Sequence, residues 1–491
     1  MSLARTGIPI RIAAAATAVV AVTACSGEAP GSPAPSSSTT TTPANRAPVV
    51  DSASSQDGAG DPYYPTDGNG GYDVTDYQVS ISYDPPTKKL DGDTVITAAA
   101  GAELKVFNLD LIGFDISSIE VDDKAAKFER SGEHELVITP AEPVRAGATF
   151  RTRVRYSGVP KTIEDSNLGT NGWQISRSGG AFAAGEPHSA TSWFPANDTP
   201  KDKATFKLVA RVPDGWSVIS NGREESPKSE GGWTTYTWVE PTRIATYLTT
   251  VAIDKWTFER STLPGGTPLV SAYAPGAEDK KSVEAALPEI LAFLAEKFGP
   301  YPQSAAGGIY INENIGFSLE IQGRPIYAKW AEKIVVVHEQ AHQWFGDSVT
   351  VKNWADICLN ECFASYAQWL WEEAKERKNL DSEYRSQVTL AGDKFWNRKL
   401  YDMGAGNEFT AVYDKGILAL HALRKQVGED AFGRVLKEWP AQHRDGNASW
   451  TEFEQFVQQI AGQDLRGFFD AWFHTAGKPA DQYLYPGNLR R

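Results

Sequence analysis

The stretch VVVHEQAHQWFGDSVTVKNWADICLNECFASY, which begins at Val335, contains two histidines four positions apart and a glutamate directly after the first. Positions i and i+4 of a helix lie on the same face, so the imidazoles of His338 and His342 can reach one metal ion. Glu339 can then reach a water on that metal without being a ligand. Neutral imidazole suits zinc, and catalytic zinc sites have three protein ligands and one water position. The pattern therefore predicts a catalytic site that holds one Zn²⁺ ion.

The third ligand has to come from another element, and Glu361 is the candidate. Eighteen residues separate Glu361 from His342. Gly346 and Asp347 interrupt the pattern after the histidine pair, and ADICLNECFASYAQWLWEEAKER has the periodicity of a second helix. Such a returning helix can present Glu361 beside the two imidazoles. The alternative is that the histidines only cap a helix or pack in a core, but the motif with its downstream glutamate favours zinc.

Three more residues near this motif bear on the site. Zinc-bound imidazoles usually donate their second N–H to a carboxylate or a carbonyl, and Asp356 is a candidate acceptor because it is close in sequence. Cys358 and Cys362 lie four positions apart in the second helix, so a bridge between them is conceivable. Because the whole chain has only three Cys, we predict instead two reduced, half-buried thiols.

The elements that must position these residues fall into two halves. From Tyr72 to about Lys255, short stretches of β-branched and aromatic residues are separated by Gly, Pro and Asp, which is typical of an antiparallel all-β domain. Helical periodicity begins near residue 278 with EDKKSVEAALPEILAFLAEKFG and then dominates. We therefore predict a multidomain α+β protein, with an N-terminal antiparallel all-β domain at residues 72–255 and a mostly α catalytic domain at 256–491.

The N-terminal residues predict export. Arg5 and Arg11 precede the apolar run IAAAATAVVAVTA. Because this run is too short to span a bilayer, residues 1–24 indicate a signal peptide. The following VTAC resembles the lipobox of bacterial lipoproteins, in which the cysteine, here Cys25, is acylated; an ordinary cleaved signal is the alternative. Residues 25–71, rich in Ser, Thr, Pro and Gly, predict a flexible tether. We expect a protein that is lipid-anchored on the outer face of the bacterial cytoplasmic membrane.

The composition excludes one class of partner. The chain of 491 residues has a formal net charge of −14 and no basic tract, which argues against nucleic-acid binding. Its hydrophobic content of 41% and its 15 Trp provide ample material for cores, and its length favours two or three domains. Composition does not predict the oligomeric state.

The segment HEQAHQWFGDSVTVKNWADICLNECFASY resembles the zinc signature of the aminopeptidase N family of gluzincins, in which HExxH is followed after eighteen residues by Glu within Asn-Glu-Gly-Phe-Ala. Cys362 stands where the family usually has Gly. The resemblance covers about residues 73–480 and implies a β-domain followed by a thermolysin-like catalytic domain. The family's C-terminal helical domain has no counterpart in the sequence.

Further segments carry the same resemblance. YDKG matches the family's Tyr-x-Lys-Gly pattern, whose tyrosine, here Tyr413, stabilises the transition state. GEPHSATSWFPANDTPKDKATF is similar to the segment that ends the family's β-domain and contains a substrate-binding acidic residue, here Glu186. In GFSLEIQGRP only Glu320 matches the family's Gly-Ala-Met-Glu-Asn exopeptidase motif. The resemblance implies that Glu186 and Glu320 bind the α-ammonium group of the substrate.

The motif and the resemblance together predict a zinc aminopeptidase that acts on peptides with a free N-terminus. Glu339 would be the general base, and Tyr413 would donate a hydrogen bond to the oxyanion. Two alternatives stay open. One is a thermolysin-like endopeptidase with the same zinc chemistry, and the other is a catalytically silent lipoprotein that binds peptides.

Overall fold

The computed structural model describes residues 58–165 and 168–490. The predicted signal peptide, Cys25 and the first part of the predicted tether lie outside the described residues. From Gly58 to Gly71 the chain packs against both halves of the protein, contrary to the prediction of a flexible tether up to residue 71. We call residues 58–71 the arm. Polar groups fix it in place: Asp61 accepts a hydrogen bond from the backbone N–H of Trp354, and Asn69 donates one to Asp110.

The first half of the chain is a β-domain of three sheets. Its strands are β1 Tyr72–Asp84, β2 Lys89–Ala100, β3 Phe107–Asp110, β4 Asp115–Val121, β5 Lys124–Ala125, β6 Lys127–Ser131, β7 Glu135–Thr139, β8 Thr149–Gly158, β9 Thr162–Asp165, β10 Gly169–Ile175, β11 Ala181–Ala184, β12 Lys203–Pro213, β13 Ser217–Ser220, β14 Arg223–Glu224, β15 Lys228–Glu230, β16 Trp233–Ala245 and β17 Val251–Asp254. The largest sheet has nine strands in the order β14-β16-β12-β1-β2-β8-β4-β5, with β15 beside β16. The second has the order β13-β17-β11-β10-β9 and the third β3-β7-β6.

Alternating side chains explain the large sheet. Along β1 the buried positions recur at every second residue, and Val79 and Ile81 point to the core while Ser80 and Ser82 point away from it. This is the pattern of a strand with one buried face. Pairing in these sheets is antiparallel apart from the parallel pair of β1 and β12, in which Val79 lies opposite Leu208.

The second half combines short strands with helices. Its strands are β18 Thr257–Thr262, β19 Pro268–Tyr273, β20 Ile309–Tyr310, β21 Ile326–Tyr327, β22 Val349–Val351 and β23 Gly446–Ala448. Its α-helices are α1 Lys281–Glu284, α2 Leu287–Phe298, α3 Lys333–Ala341, α4 Cys358–Glu376, α5 Leu380–Leu390, α6 Asp393–Trp396, α7 Lys415–Val427, α8 Glu429–Gln442, α9 Trp450–Ala461, α10 Arg466–Phe469 and α11 Asp481–Leu484. Strands β18 to β21 form one sheet in chain order, and β22 pairs with β23.

Helices α3, α4 and α7 pack side by side and form the frame of the site. The rings of Phe345, just after α3, and Phe363 on α4 stack with centroids 4.4 Å apart, which fixes the return of the chain between the two helices. An antiparallel β-domain followed by a mostly helical domain confirms the predicted fold class. In the ranges that the structure describes, we find no helix with the length and apolar character to cross a membrane.

Candidate active site

The two histidines of the motif lie together at the end of α3. His338 is on its last turn, and His342 follows with helical backbone angles. Their Nε2 atoms are 3.2 Å apart. The Nδ1 atom of His342 is 3.0 Å from the carbonyl oxygen of Phe345. When Nδ1–H donates a hydrogen bond to this carbonyl, the lone pair of Nε2 is free to bind a metal in the neutral ring. The loop after α3 thus orients the ring so that Nε2 faces His338 and Glu361. Burial would lower the pKa of His342, but the charges of Glu361 and Glu320 raise it well above its usual range.

Helix α4 brings Glu361 to this pair, as the sequence predicts. Its Oε2 atom is 3.3 Å from Nε2 of His338, and its Oε1 atom is 3.6 Å from Nε2 of His342. Ligands about 2.1 Å from a tetrahedral zinc ion are about 3.4 Å from one another. The two imidazole nitrogens and the carboxylate of Glu361 are therefore about as far apart as the ligands of one zinc ion. Oε2 of Glu361 is buried and accepts no hydrogen bond in the described residues, which also fits a metal ligand.

The charges of this triad are coupled. Burial raises the pKa of Glu361, but the charge of His342 and the close contacts with both imidazoles outweigh this effect and lower the pKa to about 2. Burial lowers the pKa of His338, and the charge of His342 lowers it further. An ionised carboxylate next to a neutral imidazole is the state that binds a divalent cation.

Glu339 points into the same space but is not part of the triad. It is buried, and burial raises its pKa well above the usual range, with a further increase from the charges of Glu320 and Glu361. A carboxylate in this setting is stabilised by a nearby cation and otherwise takes up a proton. Glu339 is therefore placed to exchange a proton beside the metal ligands.

Two further carboxylates approach from different elements. Glu186 follows β11, where the side chain of Asn171 donates to its backbone carbonyl. Glu320 lies between β20 and β21, and the side chain of Gln343, just after α3, donates to its backbone carbonyl at 3.3 Å. Both are 2% exposed, and each has an Oε1 atom without a hydrogen-bond partner in the described residues.

Charged residues of the triad shift the pKa values of both carboxylates, and Glu320 offers an oxygen within 4.8 Å of ligand atoms of His342 and Glu361. Burial raises the pKa of Glu186 well above the usual range, and the charges of Glu320 and Glu361 raise it further. Burial also raises the pKa of Glu320, to about 7. Such a concentration of buried carboxylates is costly unless cations are bound.

Tyr413 is the last of the predicted residues, and it lies two residues before α7. Its ring centroid is 6.1 Å from that of His338. Burial raises the pKa of Tyr413 well above the usual range, and the charges of Glu361 and Glu186 raise it further. Its hydroxyl therefore keeps its proton at neutral pH. The structure thus brings His338, Glu339, His342, Glu361, Glu186, Glu320 and Tyr413 into one site.

Comparison with known proteins agrees with this geometry. Residues 74–248 match the Peptidase M1 N-terminal domain, and residues 322–472 match the Peptidase family M1 domain. The chain belongs to the M1 peptidase family. It is 26% identical to probable aminopeptidase 1 of Sulfurisphaera tokodaii over 76% of this chain and 49% of the relative. It is 24% identical to aminopeptidase N of Lactococcus lactis subsp. cremoris over 82% of this chain and 50% of the relative. The chain thus spans about half the length of these relatives.

One solved structure matches most of this chain. The M1 zinc metallopeptidase from Deinococcus radiodurans superimposes with a TM-score of 0.80 at 28% identity, over 86% of this chain and 98% of that one. Another structure shows a mutant of the Deinococcus enzyme bound to a Tyr-Ser-Ala substrate, with a TM-score of 0.76 at 28% identity, over 83% of this chain and 95% of that one. These findings confirm the resemblance to the aminopeptidase N family and its two-domain architecture.

Several features of this M1 site were not predicted. Tyr247 is buried beside Glu320 and donates to its carboxylate, which lowers the pKa of Glu320 against the effect of burial. Its sequence context, ATYLTT, looks like any aromatic core residue. Asp356 was a candidate partner for a zinc-ligand imidazole, but it accepts a hydrogen bond from the backbone N–H of Trp450 at the start of α9. The carbonyl of Phe345 takes the place that we predicted for Asp356.

The two cysteines of α4 also differ from the prediction. Cys358 and Cys362 form a disulfide, and both are fully buried rather than reduced and half-buried. Residues four apart on a helix share one face, and their Cα atoms are 4.8 Å apart, within the range of disulfides. The space for Cys362 comes from Gly416 on α7: a Cβ atom added there would lie 2.6 Å from the Cys362 sulfur. Because Gly416 has no side chain, α7 leaves room for the side chain of Cys362, at the position where the family usually has Gly.

Proposed function

We propose that this protein is a zinc-dependent aminopeptidase that hydrolyses the first peptide bond of peptides with a free N-terminus. The observation that carries the proposal is the pair of buried carboxylates, Glu186 and Glu320, near the His338, His342 and Glu361 triad. A triad alone supports peptidase chemistry of any kind. Two buried acceptors at its edge are complementary to a substrate ammonium group, and they favour exopeptidase action.

His338, His342 and Glu361 would hold one zinc ion. When bound, zinc supplies Lewis-acid polarisation of the substrate carbonyl and a nucleophilic water of lowered pKa. The donor set of two imidazole nitrogens and one carboxylate oxygen is that of known catalytic zinc sites. The ionised state of Glu361 and the orientation of the His342 ring are both set by the protein before any metal binds.

Glu339 is the general base in this proposal. It takes a proton from the attacking water and gives it to the amine that leaves, so that the carboxylate is regenerated after each turnover. Its burial favours the protonated form, and the positive charge of the metal centre favours the ionised form. Opposing effects of this kind place a carboxyl pKa where it can both accept and return a proton.

Tyr413 donates a hydrogen bond to the oxyanion that develops from the scissile carbonyl. Its raised pKa keeps the hydroxyl protonated, and its ring lies on the His338 side of the site. Burial strengthens such a hydrogen bond because the surroundings have a low dielectric constant. The names of the relatives, which include aminopeptidases from Sulfurisphaera tokodaii and Lactococcus lactis, support this function.

The test is the variant Glu339→Gln in the zinc-loaded full chain. The amide keeps the shape of the carboxylate but cannot accept the proton, so kcat on aminoacyl fluorogenic amides is expected to fall about 10²–10⁴-fold. Zinc content, measured by elemental analysis, should stay at the wild-type level because Glu339 is not a ligand. Equal activity of the two proteins, or no activity in the zinc-loaded wild type, would refute the catalytic role.

We further propose that Cys25 is lipidated and holds the protein at the outer face of the cytoplasmic membrane. The support is the sequence alone: an apolar run after two arginines, small residues before Cys25 and a Ser/Thr/Pro-rich segment after it. In the producing bacterium, Cys25→Ser should move the protein from the membrane pellet to the fluid outside the membrane or leave an unprocessed precursor. Membrane extraction that is the same for both forms would contradict the anchor.

A further inference from the structure

A second cluster of metal-binding side chains lies in the β-domain, away from the M1 site. It lines a cavity of about 500 Å³ where the arm, residues 58–71, meets the β-domain. Asp67 comes from the arm, Asp110 from the end of β3, and His134 from the turn before β7. His188 and Asp198, from the segment between β11 and β12, complete the lining used in the argument.

The distances around His134 are those of a coordination sphere. Its Nε2 atom is 3.1 Å from the carbonyl oxygen of Thr66, and 3.9 Å from both Oδ1 of Asp67 and Oδ1 of Asp110. In the catalytic triad the corresponding separations are 3.2 to 3.6 Å. Ligand atoms about 2.1–2.4 Å from one cation are about 3.0–3.9 Å from each other. His134 Nε2 is therefore at or near coordination-sphere distances from each of the other three atoms.

The two carboxylates are held in place from outside the cluster. Asp110 is fully buried; its Oδ1 accepts from the side chain of Asn69 and its Oδ2 from the backbone N–H of Asp198. The second oxygen of Asp67, Oδ2, is 2.9 Å from Nδ1 of His188. Metal-ligating carboxylates are usually oriented by such outer hydrogen bonds, and a carboxylate oxygen that accepts one hydrogen bond keeps a second lone pair for a metal.

The carboxylates of Asp67, Asp110 and Asp198 around this cavity favour a bound cation. Asp198 is 5% exposed; its Oδ1 accepts from Thr246, whereas Oδ2 has no hydrogen-bond partner in the described residues and the side chain lines the cavity. Within the described ranges, Asp67 and Asp110 form salt bridges with His134 and His188, and Lys161 also lines the cavity. Buried carboxylates in this number are normally paired with a cation or bound to a metal.

We propose that a divalent transition-metal ion binds here and joins the arm to the β-domain, with one imidazole, two carboxylates and one backbone carbonyl as ligands: His134, Asp67, Asp110 and Thr66. The imidazole nitrogen favours Zn²⁺ or Mn²⁺ over Ca²⁺ and Mg²⁺, which prefer oxygen ligands alone. When the ion binds, Nε2 of His134 loses its hydrogen bond to the Thr66 carbonyl, and both atoms coordinate the ion instead.

Such an ion would secure more than the arm itself. Tyr63 of the arm donates to Asp402 and accepts from the backbone N–H of Gly404, both in the loop before α7. His188, which holds Asp67, is two residues from Glu186 of the active site. The ion would therefore fix a segment that touches both domains, and its role is structural rather than catalytic.

The experiment separates the two sites by removing the first. The full chain with His338→Ala and His342→Ala is stripped with a chelator and titrated with ZnCl₂ or MnCl₂ by calorimetry. We expect about one equivalent to bind and the unfolding temperature to rise, because a metal bound only to the native state stabilises it. Adding His134→Ala or Asp67→Asn should abolish this binding. The control is Glu129→Gln, an exposed residue of β6 outside the cavity lining, which should leave the binding unchanged.

Two results would overturn the second site. One is that the chain without the first site binds neither metal, while the wild type binds about one equivalent of zinc. The other is that the bound equivalent persists in both His134→Ala and Asp67→Asn. Circular dichroism of each variant shows whether it is folded. Asp67→Asn changes a partly exposed arm residue, so it keeps the test valid if His134→Ala does not fold.

Discussion

In the mechanism that we propose, Tyr413 donates a hydrogen bond to the oxyanion, and its hydroxyl can do so only while it keeps its proton. Four buried carboxylates around it, Glu361, Glu186, Glu320 and Glu339, raise its pKa together with burial. The same carboxylates that would bind the metal and the substrate amine thus keep Tyr413 a donor. This coupling is a property of the assembled site, since no one residue provides it.

Tyr413→Phe is expected to lower kcat about 10²–10³-fold with little change in KM, because the hydrogen bond forms with the transition state and not with the substrate. Steady-state kinetics on an aminoacyl amide gives both constants. Tyr236→Phe is the matched control, since its hydroxyl bonds to the carbonyl of Trp216 on the β-domain. A rise in KM at unchanged kcat would assign Tyr413 to substrate binding instead.

At the residue scale, the sequence predicted best where spacing is local. His338, Glu339 and His342 lie within one turn, so helical periodicity alone places them together. Glu361 needed one further assumption, a returning helix. Tyr247 could not be predicted, because its contact with Glu320 depends on how the end of the β-domain meets the loop between β20 and β21.

The contact between α4 and α7 sets the position of Tyr413. Gly416→Ala would place a Cβ atom 2.6 Å from the Cys362 sulfur, so α7 has to move away from α4. We expect a loss of about 1–3 kcal/mol in stability and a lower kcat, because close-packed helices tolerate extra volume poorly. Gly433→Ala on α8, with nothing within 4 Å of the added atom, is the control and should be neutral or stabilising.

A second substitution sharpens this test. Cys362→Gly removes the atoms that the new Cβ of Gly416→Ala would meet, so the double variant should recover activity lost in the single one. Unfolding in urea and steady-state kinetics measure the two effects. Activity of Gly416→Ala equal to the wild type would show that the helix contact does not position Tyr413.

His421 connects three helices and makes the helical domain sensitive to acid. On α7, its Nδ1 is 3.0 Å from the hydroxyl of Tyr366 on α4, and its Nε2 is 3.0 Å from Asp381 on α5. Burial lowers the pKa of His421 to about 4, although the hydrogen bond to Asp381 acts in the opposite direction. In the unfolded chain the pKa of His is about 6.5, so as the pH falls the unfolded state takes up the proton first.

The stability that depends on neutral His421 is therefore complete above about pH 6.5 and declines as the pH falls towards 4. The decline amounts to about 3 kcal/mol at most. Urea unfolding at pH 7 and at pH 4.5 should show a smaller acid-induced loss in His421→Gln than in the wild type. The same loss in both proteins would contradict the assignment to His421.

Element types were predicted more reliably than their partners. The predicted stretches did become strands: β1, β2 and β8 each have one buried face, whereas β3 is buried along its whole length. The parallel pair of β1 and β12 joins residues more than a hundred positions apart, and no local pattern encodes such a pairing. The disulfide of α4 was judged wrongly because the low number of cysteines was given more weight than their shared helical face.

At the scale of the whole molecule, a buried lysine connects the two domains. Lys203, at the start of β12, donates to the backbone carbonyls of Asp347 and Ser348, and burial lowers its pKa to about 7. Asp347 and Ser348 lie in the loop between α3 and β22. The β-domain thus supports the loop that connects the two zinc-binding helices.

Lys203→Met keeps the length of the side chain and leaves these carbonyls without their donor. We expect a loss of about 1–3 kcal/mol in the free energy of unfolding, measured in urea. Lys207→Met, on the same strand but only partly buried, should change it by less than about 0.5 kcal/mol. Equal stability of the two variants would show that the interdomain contact contributes nothing.

The arm is the part of the whole molecule that the sequence described worst. Its composition, rich in Gly, Asp, Tyr and Pro, resembles that of a linker, and a linker is what composition predicts. Its order comes from hydrogen bonds to residues far along the chain, such as Asp61 with Trp354 and Tyr63 with Asp402. Such contacts have no signal in the local sequence.

The central claim is that the carboxylates of Glu186 and Glu320 turn a zinc peptidase site into an aminopeptidase site. The most direct measurement is kcat/KM of the zinc-loaded full chain on one peptide in two forms, with a free and with an acetylated N-terminus. Acetylation removes the charge that the two carboxylates bind, so we expect cleavage of the free peptide at its first bond and a loss of about 10²-fold or more on acetylation. Equal cleavage of both peptides, or cleavage at an internal bond, would contradict the claim.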